Sequence, residues 1–134
     1  MFPIKFYTQK RIFKYYTGLS FFIFIWISRL EKDEERLVRH EKIHFRQQIE
    51  LLFVFHWLLY IYFYIVARLY GHHHYIAYRY NPFELEAYRH DPDQRYLITR
   101  KPYSWIRFIK EFNAILKKDM RAMIPVRKEA NFDK

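Results

Sequence analysis

The sequence predicts a small α+β domain, mainly helical, with a short sheet at its N-terminal end. Three observations carry that expectation. Two early runs, "PIKFYT" (3–8) and "SFFIFIWI" (20–27), are dominated by aromatic and β-branched residues, which suit a pleated, half-buried surface. From Leu37 to about Ala67 or Leu69 nothing interrupts a helical pattern, and Gly71 is the first breaker. Two later segments begin with helix-start signals, Asn81-Pro82 and Ser104.

The elements follow in order within a single domain spanning 1–134. N-terminal strands occupy about 3–28, divided by a basic polar stretch that contains Gly18. Asp33, followed by Glu34 and Glu35, suits a helix start, because an N-cap oxygen and early carboxylates complement the positive end of the helix dipole. The helix that begins there is expected over about 33–69, roughly 45 Å at 1.5 Å per residue, long enough for a small domain to invite a kink or break. Its second half, "LLFVFHWLLYIYFYIVA" (51–67), is apolar on every side apart from His56, so it is either buried or in contact with lipid. Seventeen residues is the lower edge of a membrane span, and a core or monotopic helix is the expectation.

"GHHHYIAYRYNP" (71–82) reads as a loop or irregular strand, its three adjacent histidines as a solvated run. A short helix over about 82–91 is opened by Asn81-Pro82 and closed by Asp91-Pro92. A last helix over about 104–118, capped by Ser104, carries Trp105, Phe108, Ile109, Phe112, Ile115 and Leu116 on one side. From Lys117 the chain is a basic, loosely held tail.

Composition narrows the function classes. With no cysteine there is neither a disulfide framework nor a thiolate metal site, so a metal would need His and carboxylate ligands, and a reducing compartment fits. The net charge of +10 favours polyanionic partners. The basic residues are dispersed and no nucleic-acid motif is present, so an anionic membrane surface is favoured over nucleic acid. "LSFFIFIWI" (19–27) is too short to span a bilayer, and "SRLEKDEE" after it offers no small-residue cleavage site, so no cleavable signal peptide is expected.

The chemistry concentrates in "HEKIHFRQQ" (40–48). Residues four apart on a helix share a face, so His40 and His44 can aim one imidazole nitrogen each at a single ion. Glu41 is turned about 100° from His40, beside such an ion rather than on it, where a carboxylate can take a proton from an activated water. With seven histidines in 134 residues, chance yields His-Glu-x-x-His at roughly 2%, so the motif alone is suggestive. Gln47 and Gln48 follow as polar groups suited to lining a site. His56, about 120° from His44 on a continuous helix, is read as packed or interfacial. His90 and Asp91 could support a site from outside the ligand shell or simply form a charged helix end.

Together, "HEKIHFRQQ" and "PFELEAYR" (82–89) resemble the gluzincin zinc metallopeptidases, in which two His come from His-Glu-x-x-His and a Glu on a later helix follows a Phe-Glu-x-x-Ala-Asp pattern. The likeness extends to small minigluzincins and to short basic bacterial proteins with His-Glu-x-x-His-x-x-Gln-Gln, and loosely covers about residues 15–105. It implies a zincin-like domain whose sheet lies over the His-Glu-x-x-His helix, with "SFFIFIWI" where the edge strand would fall. It also implies Zn²⁺ held by His40, His44 and Glu84, with Glu41 as general base. Glu86, about 200° round the helix from Glu84, is the rival ligand. The pattern departs at Tyr88, where the family has an Asp that orients a ligand imidazole; the tyrosine could accept that hydrogen bond or polarise a substrate carbonyl.

The expected function is therefore a zinc metallopeptidase acting on a peptide or protein substrate, cytoplasmic, and peripheral or monotopic at the inner membrane. The alternatives are a non-catalytic zinc-stabilised protein and a basic membrane-associated module.

Overall fold

In a computed structural model, residues 4–8, 18–21, 24–28 and 34–125 are described. Three strands form one sheet in the order β1-β3-β2: β1 (Ile4–Thr8), β2 (Gly18–Phe21) and β3 (Phe24–Ser28). β1 runs parallel to the central β3, with Ile4 opposite Phe24. β2 runs antiparallel to β3, with Gly18 opposite Ile27 and Phe21 opposite Phe24. The run "SFFIFIWI" is thus not one edge strand: it contributes to the edge strand β2 and then to the central β3. The sheet packs through β2 and β3 against α1 (Glu34–Glu50), the helix bearing the His-Glu-x-x-His motif.

α1 carries Glu34 and Glu35 in its first turn, where the dipole favours them; Asp33, the expected cap, lies outside the described residues. The expected helix over 33–69 is two helices. α1 ends at Glu50, α2 runs Val54–Leu69, and their axes are bent by 112°. The break has the hydrogen bonds of a Schellman cap: Phe53 N–H donates to the Gln48 carbonyl and Leu52 N–H to the Ile49 carbonyl. Leu52 occupies the left-handed position usually held by glycine, with φ of 53°. No glycine or proline marks the break, so the pattern of residue types runs through it undisturbed.

Past Gly71, where the structure forms a short helix α3 (His74–Arg79), the sequence reading expects a loop or irregular strand. The three histidines, His73 exposed and the other two half-buried, each make a hydrogen bond. His73 Nδ1 accepts from Tyr75 N–H and so caps α3, His74 Nδ1 pairs with the Tyr64 hydroxyl at 2.7 Å, and His72 Nε2 donates to the Leu116 carbonyl at 2.9 Å. α4 (Pro82–His90) begins as its sequence predicts: the Asn81 side chain accepts from Phe83 N–H, Pro82 fills the first turn, and Asp91 follows as the C-cap.

A single helical turn, α5 (Tyr96–Thr99), comes next, then a 3-10 helix over Ser104–Phe108 that leads into α6 (Ile109–Leu116). Ser104 is not the cap of one long helix. Its hydroxyl donates back to the Lys101 carbonyl at 2.6 Å, and Tyr103, at φ of 59°, turns the chain. Of the basic tail, residues as far as Pro125 are described and include a 3-10 turn at Arg121–Met123.

The core gathers Phe63 and Ala67 of α2, Phe83 and Leu85 of α4, Trp105 and Phe108 of the 3-10 helix, and Phe112 and Leu116 of α6. Phe83 is its centre, with ring centroids 4.6 Å from Trp105 and 6.2 Å from Phe63. A fully buried Phe contributes roughly 2–3 kcal/mol by area, so this side chain anchors the start of α4, directly before Glu84. A second small cluster of Ile43, Ala87 and Tyr96 pins α4 to α1. The molecule is mainly helical, and these two clusters set α1 and α4 face to face.

Candidate metal centre

α1 places His40 and His44 one turn apart, and α4 brings Glu84 against both. Glu84 Oε2 lies 3.1 Å from His40 Nε2 and 3.0 Å from His44 Nε2, and the two Nε2 atoms are 3.2 Å apart. These three donors form a nearly equilateral triangle, and the residues constitute a buried group able to hold a metal ion. The triangle has the size that a tetrahedral ion with ligands at about 2.0–2.1 Å needs, since such ligands stand roughly 3.3 Å from one another.

The other ring nitrogens are already committed. Gln47 Nε2 donates to the Phe83 carbonyl at 3.0 Å and to Glu86 Oε2 at 2.8 Å, which turns its Oε1 towards His44. That oxygen accepts from His44 Nδ1–H at 2.8 Å. Asp91 Oδ2 accepts from His40 Nδ1–H at 3.0 Å. In its neutral form each imidazole would therefore present an Nε2 lone pair to a carboxylate oxygen. Three electron pairs converging in a buried site require a cation between them, either a proton or a metal.

The electrostatics agree. Burial, the largest influence on His40, lowers its pKa, but the hydrogen bonds to Asp91 and Glu84 overcome it and raise the value to about 10. Burial likewise works against a charged His44, and Glu84 outweighs it, so its pKa rises. Glu84 is pushed up by burial, yet the two histidines hold it well below the usual carboxylate range. Glu41 responds otherwise: burial lifts it to about 7 despite the opposing pull of His40 and His44. Its Oε2 is buried and accepts no hydrogen bond, leaving a carboxylate beside the cluster unused by the described residues.

Glu86 lies outside this group of donors. It is completely buried, and accepts from Gln47, from the Tyr96 hydroxyl at 2.8 Å and from Arg100, which also pairs with Glu50. Its carboxylate neutralises a buried arginine and steadies the amide that orients His44.

Tyr88 does not take over imidazole orientation. Its hydroxyl pairs with Tyr78 at 2.7 Å, its ring packs edge-on to His40 with centroids 4.4 Å apart, and Arg79 lies 3.7 Å from its ring centroid. Burial, with the Glu84 charge, raises its pKa. Asp91 performs the role expected of the residue at 88. Seven residues from Glu84, it returns to nearly the same helix face, while Arg36 Nε at 2.6 Å and Arg39 on its carbonyl hold it in place. His90 instead stacks on Tyr96 with centroids 3.9 Å apart.

Sequence reasoning missed Tyr60, whose hydroxyl donates to Glu84 Oε1 at 3.0 Å and leaves Oε2 facing the histidines. The contact exists because α2 folds back at the break. The same bend places His56, 1% exposed, against Phe83 at 4.5 Å with neither ring nitrogen hydrogen-bonded, and burial depresses its pKa to about 3. It is packed, as expected, but not interfacial.

No family model, curated protein or solved structure matches the chain.

Proposed function

We propose that the chain is a zinc-dependent peptidase with His40, His44 and Glu84 as the metal ligands. The observation that carries this reading is the convergence of three buried donor atoms beside a fourth buried group, Glu41, whose Oε2 is unpartnered. A bound zinc ion would supply Lewis acidity, making water nucleophilic at neutral pH and polarising a carbonyl. The protein's own residues would do the rest. Asp91 and Gln47 keep both histidines in the Nδ1–H tautomer, and Tyr60 holds the free oxygen of Glu84. Glu41, with its pKa lifted to about 7 by burial, suits a group that accepts a proton from the attacking water and passes it to the leaving amine.

The direct test is hydrolysis of a mixed peptide library by zinc-loaded wild type and Glu41→Gln. The proposal expects cleavage by the wild type and a loss of about 100-fold or more in the variant, with zinc content unchanged. Equal cleavage by both proteins, or a zinc-loaded wild type inert on every peptide, would overturn it.

One observation favours a second reading, in which the zinc only staples α1 to α4. The three ligands are 4–6% exposed, and closed sites suit structural zinc. Strong thermal destabilisation by a chelator, combined with no hydrolysis, identifies that case.

A further inference from the structure

We infer that the outer face of α2 is a monotopic docking surface for an anionic lipid bilayer. At 100° per residue, the exposed Val54, Phe55, Leu58, Ile61, Tyr62, Ile65 and Leu69 fall within an arc of about 120°. Leu69 is 81% exposed, and Leu52, 70% exposed, extends the apolar surface through the bend. The reverse face, bearing His56, Phe63 and Ala67, is buried in the protein core. The helix is therefore apolar on both sides, with a protein against one side and an unpartnered stripe on the other.

Length and charge select the occupant. Sixteen residues reach about 24 Å, short of the ~30 Å hydrocarbon core, and no single described helix is long and apolar enough to cross a membrane. The 112° bend also prevents α1 and α2 from acting as one straight rod. A helix lying in the interface plane uses the whole stripe, and Tyr62 suits that amphipathic zone.

From Leu51 to Phe83 there is no acidic residue; the charged groups in that stretch are Arg68 and Arg79. Arg68 lies about 20° beyond one margin of the stripe, and exposed Arg46 precedes the bend. A second copy would bring the same arginines and another chain of net charge +10 to the contact, whereas anionic headgroups neutralise both.

The docking is independent of hydrolysis. If the peptidase reading holds, it also defines a substrate class. Tyr60, on the reverse side of α2, is bonded to Glu84, so the centre lies about one helix diameter from the lipid, which favours polypeptide segments close to the bilayer as substrates.

Flotation with phosphatidylcholine vesicles containing about 30% phosphatidylglycerol tests the surface. Wild type floats with them, and binds pure phosphatidylcholine vesicles more weakly. The double variant Leu58→Glu/Ile65→Glu, at two exposed positions, loses at least about tenfold in partition with zinc content unchanged. Arg46→Glu/Arg68→Glu loses affinity for the anionic vesicles while keeping its weak binding to the neutral ones. The inference is overturned if wild type stays in the soluble fraction, or if Leu58→Glu/Ile65→Glu floats as well as wild type. A vesicle-free dimer that this variant dissolves, with no flotation of wild type, would assign the face to contact between copies instead.

Discussion

Asp91 Oδ2 accepts a hydrogen bond from His40 Nδ1 at 3.0 Å, so the residue that caps α4 determines which nitrogen of His40 faces Glu84 and His44. Supporting carboxylates of this kind typically alter metal affinity 10–100-fold. Asp91→Asn should weaken zinc binding by about that factor, measured by competition with a chromogenic chelator. Tyr88→Phe, which removes a hydroxyl bonded only to Tyr78 among the described residues, should change it by less than about threefold.

Glu84 and Glu86 separate by what their loss affects. Glu84→Ala should abolish zinc binding in a folded protein. Glu86→Ala strips a fully buried carboxylate from Arg100 and should cost about 3–5 kcal/mol in chemical denaturation, while zinc binding is weakened through the Gln47 amide and not abolished.

The pH dependence of the zinc-free protein follows from four shifts. Glu84 is lowered when folded, so its contribution to stability is lost in acid and present above its ordinary value near 4.5. Glu41, raised from 4.5 to about 7, binds a proton more tightly when folded, so stability falls as pH rises through that window. His40, raised from 6.5 to about 10, stabilises fully below 6.5 and loses its contribution as pH climbs towards 10. His56, lowered from 6.5 to about 3, binds a proton less tightly when folded, so its contribution grows as pH rises to 6.5 and offsets Glu41 there. The zinc-free melting temperature should therefore be nearly level from about pH 5 to 6.5 and decline to pH 9. Saturating zinc, which displaces the His40 proton, should flatten or reverse that decline.

Leu52 tests the bend. In a helix interior, a change from Leu to Gly costs close to 1 kcal/mol, whereas at a left-handed C′ position glycine relieves backbone strain. With φ of 53° and most of its surface exposed, Leu52→Gly should leave stability unchanged or raise it by up to about 1 kcal/mol, as read by thermal unfolding.

These positions also show what the sequence made legible. His40, Glu41 and His44 could be read because the geometry relating them is local, three residues on one helical turn. The starts of α1 and α4 carried acidic and Asn-Pro signals, and the apolar spacing of Trp105, Phe108, Phe112 and Ile115 described the C-terminal packing face correctly. The break at Leu52 left no trace, since its Schellman bonds are made by the backbone and the residue in the glycine position is leucine. Everything that depends on the bend was hidden with it, including Tyr60 on Glu84 and His56 in the core. Asp91 was visible as a helix end near the site. Assigning it to His40 required the packing of α4 on α1, which places Asp91 rather than Tyr88 at the imidazole.

The proposed function requires these α1 and α4 side chains to form one zinc site. Diffraction data collected on either side of the zinc absorption edge, from crystals of the zinc-loaded protein, test it most directly. One strong anomalous peak is expected about 2.0–2.2 Å from His40 Nε2, His44 Nε2 and Glu84 Oε2. A peak at Glu86 or among His72, His73 and His74, or no peak between α1 and α4, would contradict it.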